Sequence, residues 1–256
     1  MKIENFMPIN FSPKNAIRTI KYKIDFRKAH PKFFDPAGLL TFCGSQGKGK
    51  TLSAVDYIKN LLKEYPSAIL VTNVIINDLS KDIRVIYYKD LNELIKYFDV
   101  IKNDEYGVIY FVDEIQILFN SLLKRGQSVQ VLEVISQQRK QRKHIIGTAQ
   151  NYMRIDKVFR DQMHDIVLCD NWFGILQHNK LIDGDTCVEE NGKLNAVVRK
   201  NVWFFHSPEM YKSYDTYSVI SSYRREFENS VLADDILNQF LYNNNLIKKE
   251  SVENGN

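Results

Sequence analysis

Apolar residues fall along this chain in short continuous runs, and the runs alternate with segments of helical spacing. The first run is Leu39-Leu40-Thr41-Phe42-Cys43; others occupy residues 68–74, 107–112, 144–149 and 165–169. Runs without in–out alternation predict strands buried on both faces, as in a parallel sheet covered by helices. Between them, residues 51–64, 90–100, 114–123 and 128–143 read as helices. The pattern predicts an α/β fold, with a mainly parallel sheet flanked by helices.

The pattern changes at both ends. Residues 172–205 look like antiparallel strands, with Glu190-Asn191-Gly192-Lys193 as a hairpin turn. Trp172 and Trp203 in this stretch either pack in a core, the commoner place for large aromatics, or contact a neighbour. Residues 234–242 read as a short amphipathic helix. Pro8, Pro13, Pro31 and Pro36 punctuate a basic lead-in, for which loops and one short strand or helix are expected. The expected division is an N-terminal basic segment (1–37), an α/β core (38–170), a C-terminal antiparallel, β-rich extension with a helix packed on the core (171–243), and a disordered tail (244–256).

Composition narrows the class. The chain has 256 residues, 44% hydrophobic and 26% charged, which suits one large domain or a domain with a small appendage. No apolar run approaches the ~20 residues of a membrane span. Met1-Lys2-Ile3-Glu4-Asn5-Phe6 lacks the apolar core of a signal peptide. A cytoplasmic protein is expected. The net charge of +4 does not announce a nucleic-acid binder. Its distribution is more telling. Lys14, Arg18, Lys21, Lys23, Arg27, Lys28 and Lys32 form one basic cluster; Lys124, Arg125, Arg139, Lys140, Arg142 and Lys143 form another. Such clusters either meet phosphates or form a solvated face. Cys43, Cys169 and Cys187 are too few and too scattered for a zinc site or a disulfide framework. Cys43 and Cys169 are expected in the core.

The strongest chemical signal follows the first strand. Gly44-Ser45-Gln46-Gly47-Lys48-Gly49-Lys50-Thr51 fits the Walker A phosphate-binding loop, G-x-x-x-x-G-K-[ST], between a predicted strand and a predicted helix. Its backbone N–H groups and the helix N-terminus, with Leu52 at the end of the set, would wrap the phosphates of ATP. Lys50 would neutralise the β- and γ-phosphates, and Thr51 would ligate Mg²⁺.

Gly107-Val108-Ile109-Tyr110-Phe111-Val112-Asp113-Glu114 is an apolar strand ending in two carboxylates, a Walker B element. Asp113 would hold Mg²⁺ and Glu114 would polarise the attacking water. The adjacent carboxylates favour water as the acceptor, and so an ATPase over a kinase. The run at 144–149 leads into Thr148-Ala149-Gln150, where the Gln150 amide has donors and an acceptor for phosphate and water alike. Arg139 is the first candidate for an arginine finger delivered in trans, with Arg142 and Arg160 as rivals; the charges at 139–143 also suit a helix C-terminus.

With these elements in order, the chain resembles the FtsK–HerA superfamily of DNA-pumping P-loop NTPases. The resemblance is carried by Gln141-Arg142-Lys143-His144-Ile145-Ile146-Gly147-Thr148-Ala149-Gln150 and by Arg154-Ile155-Asp156-Lys157-Val158-Phe159-Arg160. The family's Ala-Thr-Gln reads Thr-Ala-Gln here. Tyr214-Asp215-Thr216-Tyr217 looks like a tail motif of the same proteins. Coverage is residues 38–220. Within the superfamily the chain is most similar to viral genome-packaging ATPases and to the Zot-like (zonula occludens toxin-like) ATPases of filamentous phages; the latter normally carry a membrane span, and no such run is seen here.

The resemblance implies a RecA-like (ASCE) core and a homo-oligomeric ring, commonly a hexamer. DNA would be gripped by its backbone without sequence specificity. Lys124 and Arg125 are the candidate contacts. It implies a DNA translocase that packages or exports a viral or mobile-element genome, in the host cytoplasm or brought to a virion or membrane by a portal, capsid or membrane partner. Two alternatives stay open: a Zot-like phage morphogenesis ATPase acting at the host membrane, and a nucleotide-gated replication-helicase loader.

Overall fold

The computed structural model describes residues 13–124, 135, 140–190 and 193–214. The chain divides into two units, Met1–Phe33 and Phe34–Asn256. In the first, helix α1 (Pro13–Ala29) opens on a proline, which suits the first helical turn because its missing N–H would be unpaired there anyway. It buries none of its residues, and Ile17, Ile20 and Ile24 lie exposed along it among the lysines and arginines of the N-terminal cluster. Phe26 packs on the rings of His30 and Phe33 just beyond it.

The second unit is built on an eight-stranded sheet of order β10-β7-β6-β1-β5-β4-β2-β3. Its parallel strands are β1 (Gly38–Cys43), β2 (Ile69–Thr72), β3 (Arg84–Tyr87), β4 (Val108–Val112), β5 (Lys143–Ala149) and β6 (Asp165–Trp172). Strands β7 (Leu176–Asp183) and β10 (Val198–Phe205) add to the β6 edge in antiparallel register. Separately, β8 (Val188–Glu190) pairs with β9 (Lys193–Asn195) in antiparallel register; Asn191 and Gly192 of the expected turn lie outside the described residues. The α/β class and the antiparallel C-terminal strands are therefore as the sequence predicts. The extension shares the core's sheet, however, and the expected boundary at 170/171 falls inside β6.

Helices cover both faces. Helix α2 (Lys50–Glu64) buries Val55, Ile58, Leu61 and Leu62 against Phe42, Leu70, Ile109 and Ile146. On the other face, α3 (Leu91–Val100), α4 (Ile115–Lys124) and the short α5 (Lys157–Arg160) close over Val71, Tyr110 and Ile145. Phe119 of α4 stacks on Phe159 of α5 at 4.0 Å between centroids. Each such side chain contributes roughly 1.5–3 kcal/mol through burial. Helix α3 starts where Asp90 caps the Glu93 N–H at 3.0 Å and Glu93 reaches back to the Lys89 N–H at 2.6 Å. Helix α6 (Pro208–Lys212) follows β10 behind a Ser207 cap. Among the described residues, no helix is long and apolar enough to cross a membrane.

Several expectations need correction. Strand β3 was not foreseen: Arg-Val-Ile-Tyr at 84–87 is a half-exposed edge strand in a polar stretch, without the fully apolar run of its neighbours. The helix predicted over 128–143 overruns, because Lys143 already belongs to β5; residues 125–134 and 136–139 lie outside the described ones. Trp172 and Trp203 are 46% and 48% exposed and not in the core. They sit where β6, β7 and β10 overhang the sheet, with Trp203 stacked on His178 at 3.6 Å. Cys43 and Cys169 are buried, as expected. The helix at 234–242, the tail and all but Tyr214 of the tail motif fall outside the described residues.

Candidate nucleotide site

β1 ends at Cys43 and α2 begins at Lys50, so residues 44–49 must reverse direction between a buried strand and a buried helix. Gly47 and Gly49 do this at φ of 77° and 75°, where a side chain would strain the backbone. The Ser53 N–H donates to the Gly49 carbonyl at 2.9 Å, closing the first turn of α2. The unpaired N–H groups of the helix N-terminus are thereby presented at the loop. Lys50 is only 8% exposed, and its Nζ donates across the loop to the Ser45 carbonyl at 3.3 Å. Ser45 and Gln46 are exposed. The Leu52 side chain is buried, which leaves its backbone N–H as the group it can offer. Lys48 turns away: its Nζ lies 2.5 Å from Asp170 Oδ1 on β6. That bond holds the Asp170 carboxyl below the usual carboxylate range, and Trp172 Nε1 donates to its other oxygen at 2.9 Å.

Strand β5 lies between β1 and β4, so its carboxyl end is wedged between the loop and the acidic strand end. Thr51 Oγ1 donates to Asp113 Oδ1 at 3.2 Å. Thr148 Oγ1 donates to the same oxygen at 2.7 Å and accepts the Glu114 N–H at 2.9 Å. The Asp113 N–H reaches Asn73 Oδ1 at 3.4 Å. Burial pushes the Asp113 carboxyl up and the neighbouring Glu114 charge adds to this, while Thr148, Thr51 and Lys50 pull it down. A hydroxyl and a carboxylate that converge beside a second carboxylate suit a hard divalent cation. Glu114 sits in the left-handed region at φ 53°, a strain of about 1–3 kcal/mol for a side-chain-bearing residue and a mark of active sites. The Gln116 amide donates to Glu114 Oε2, while its own buried Oε1 finds no partner among the described residues.

Gln150 follows β5 next to the loop, since the Gly44 N–H donates to the Ala149 carbonyl at 3.2 Å. Its side chain is exposed, and its Oε1 accepts from Arg154 Nη1 at 3.1 Å. The structure thus brings together Lys50, Thr51, Asp113 and Glu114, with Gln150 at their margin. Arg142 lies at the opposite end of β5 and donates to the Phe34 carbonyl at 3.3 Å. Arg160 packs over the Tyr152 ring at 5.5 Å. Arg139 and Arg125 lie outside the described residues, and Lys124 is the last residue of α4. Sequence reasoning gave no place to Asn73, Gln116 or Gln177, and did not show that Thr148 holds both Asp113 and Glu114. A lone threonine in an apolar strand was the one available hint.

A glycine loop between strand and helix, facing a carboxylate two strands away across an intervening strand, defines a P-loop ATPase. Residues 39–218 match the zonular occludens toxin (Zot) family. The chain belongs to that family. Similar solved structures include the N-terminal domain of zonular occludens toxin from Neisseria meningitidis, at 18% identity and a TM-score of 0.48, covering 70% of this chain and 100% of that one. The DNA-packaging ATPase B204 from Sulfolobus turreted icosahedral virus is 12% identical at a TM-score of 0.45, covering 63% of this chain and 97% of that one. No curated protein matches the chain.

Proposed function

We propose that the chain binds ATP with Mg²⁺ and hydrolyses it to move DNA through a homo-oligomeric ring, most simply a hexamer, packaging or exporting a viral or mobile-element genome. The loop at 44–51, with the Leu52 N–H, wraps the phosphates, and Lys50 neutralises the β- and γ-phosphates. Thr51 and Asp113 hold the cation, which when bound supplies further charge neutralisation at the same phosphates. Glu114 accepts a proton from water as its oxygen attacks the γ-phosphorus and ADP departs. Gln150 touches the γ-phosphate and the water. A neighbouring subunit supplies an arginine, with Arg139 the first candidate and Arg142 and Arg160 its rivals. Lys124 and Arg125 grip backbone phosphates.

The observation that carries the reading is the meeting of Thr51 and Asp113 at 3.2 Å, which joins the phosphate loop to the acidic strand end. The test is ATP turnover by wild type and Glu114→Gln, with and without duplex or single-stranded DNA. The variant should bind ATP and scarcely hydrolyse it; normal turnover would sink the assignment of Glu114. The family match over residues 39–218 favours a second reading, a phage morphogenesis ATPase acting at the host membrane through a separate anchor. Pelleting with membranes only when phage partners are present would distinguish it.

A further inference from the structure

We propose that Gln177 is a positioning residue for the phosphate loop, fixing the peptide unit between Lys48 and Gly49 in the orientation that serves a phosphate. The inference rests on the nucleotide reading above. Gln177 stands on β7, in the antiparallel part of the sheet and far from the loop in sequence, yet it is 0% exposed and lies against the loop's last glycine. Its Nε2 donates to the Lys48 carbonyl at 3.1 Å and to Asn179 Oδ1 at 2.9 Å. Asn179 Oδ1 also accepts from Ser53 Oγ at 3.3 Å, one turn into α2. One amide thus braces the loop before Gly49 and, through Asn179, the helix after it.

The consequence follows from peptide planarity. The Lys48 C=O and the Gly49 N–H belong to one rigid unit, and the described chain has no cis peptide bonds, so the two groups point in opposite directions. Holding the carbonyl against Gln177 turns the Gly49 N–H to the opposite side of the loop. A glycine at φ 75° has little of its own to resist a flip of that unit. The space is also matched: a Cβ on Gly49 would collide with the Gln177 amide oxygen.

The Gln177 amide is itself locked. Its Oε1 accepts from His206 Nε2 at 3.1 Å, so reversing the amide would set its oxygen against the Lys48 carbonyl. The His206 ring is held by the Tyr211 hydroxyl, 2.6 Å from Nδ1 and 2.8 Å from the Gly174 carbonyl in the β6–β7 turn. The antiparallel strands are therefore a brace for the nucleotide site as well as an added edge.

The test compares wild type, Gln177→Leu and His206→Ala for binding of a non-hydrolysable ATP analogue and of inorganic tripolyphosphate. Gln177→Leu keeps the bulk and removes the donor. It should weaken both ligands by the same factor, about tenfold to a hundredfold, when binding is measured well below the thermal midpoint; that midpoint itself falls by several degrees, because the Lys48 carbonyl and Asn179 Oδ1 lose a buried donor. His206→Ala, at the partly exposed end of the brace, should weaken both several-fold. Wild-type affinity in folded Gln177→Leu overturns the proposal; if that variant does not fold, wild-type affinity in His206→Ala does so. Failure of the wild type to bind either ligand would instead remove the nucleotide reading itself.

Discussion

Thr148 Oγ1 donates to Asp113 Oδ1 at 2.7 Å and, through its lone pairs, accepts the N–H of Glu114 at 2.9 Å. One hydroxyl on β5 therefore fixes both carboxylate residues that follow β4. It aims the Asp113 oxygen towards Thr51 and supports the left-handed backbone of Glu114. The middle strand of the three that build the site is thus a ruler between the other two.

Thr148→Val keeps the shape and removes the hydroxyl. The Glu114 N–H then loses its partner in a nearly dry place, at about 1–3 kcal/mol. Asp113 loses a bond that lowers its pKa, so its charged form becomes harder to hold. ATP turnover should fall about tenfold to a hundredfold, as for other residues that orient ligand groups. Thr148→Ser should restore most of it. Turnover in the valine variant within twofold of wild type would show that the hydroxyl is dispensable.

How much of this was legible in the sequence depended on spacing. The loop at 44–51 and the pair Asp113-Glu114 are contiguous, and their strand and helix contexts follow from local apolar patterns. The bracing residues are another matter. Gln177 meets Lys48 across 129 positions, and nothing local marks it. For Trp172 and Trp203 the core was the favoured place because large aromatics are usually buried. Here β6 runs on from Cys169 to Trp172 beyond the last residue of β1, by about 13 Å at 3.3 Å per residue, and both indole rings on that overhang stay about half exposed. β3 escaped because an edge strand need not be apolar throughout.

His144 gives a pH dependence. It is buried between β1 and α2, with Nδ1 3.1 Å from the Gly38 carbonyl and Nε2 3.1 Å from the Tyr57 hydroxyl. Burial drops its pKa from 6.5 to about 4. Above the unfolded value both states are neutral and nothing is lost. Between there and 4 the unfolded chain takes up the proton first, so stability falls as pH falls. The loss approaches about 3 kcal/mol at pH 4. Denaturant unfolding from pH 7 to pH 4 should show it, and His144→Gln should flatten that part of the profile. An unchanged slope in the variant would assign the acid sensitivity elsewhere.

If Lys124 and Arg125 grip DNA, they do so through phosphates and not through bases. Replacing both with alanine should weaken duplex binding equally for unrelated sequences. It should also make the slope of log affinity against log salt shallower by about 2, one for each lost contact. DNA-stimulated turnover should fall with binding. An unaltered salt slope would mean the end of α4 does not touch the nucleic acid.

The two aromatic clusters should answer mutation very differently. Phe119 and Phe159 are 1% and 0% exposed and stack nearly parallel at 4.0 Å, joining α4, which follows the acidic pair, to α5, which follows β5. Phe119→Ala would open a cavity that close-packed neighbours fill poorly, at about 3–5 kcal/mol. Trp203 is half exposed, and its contacts are the stack on His178 and the edge of Trp172 at 5.7 Å. Trp203→Ala should cost only about 1 kcal/mol, the scale of a single aromatic pair. Urea unfolding of both variants measures the difference. A Trp203→Ala loss as large as that of Phe119→Ala would mean that the overhanging strands are part of the cooperative core, and that the exposed tryptophans are structural after all.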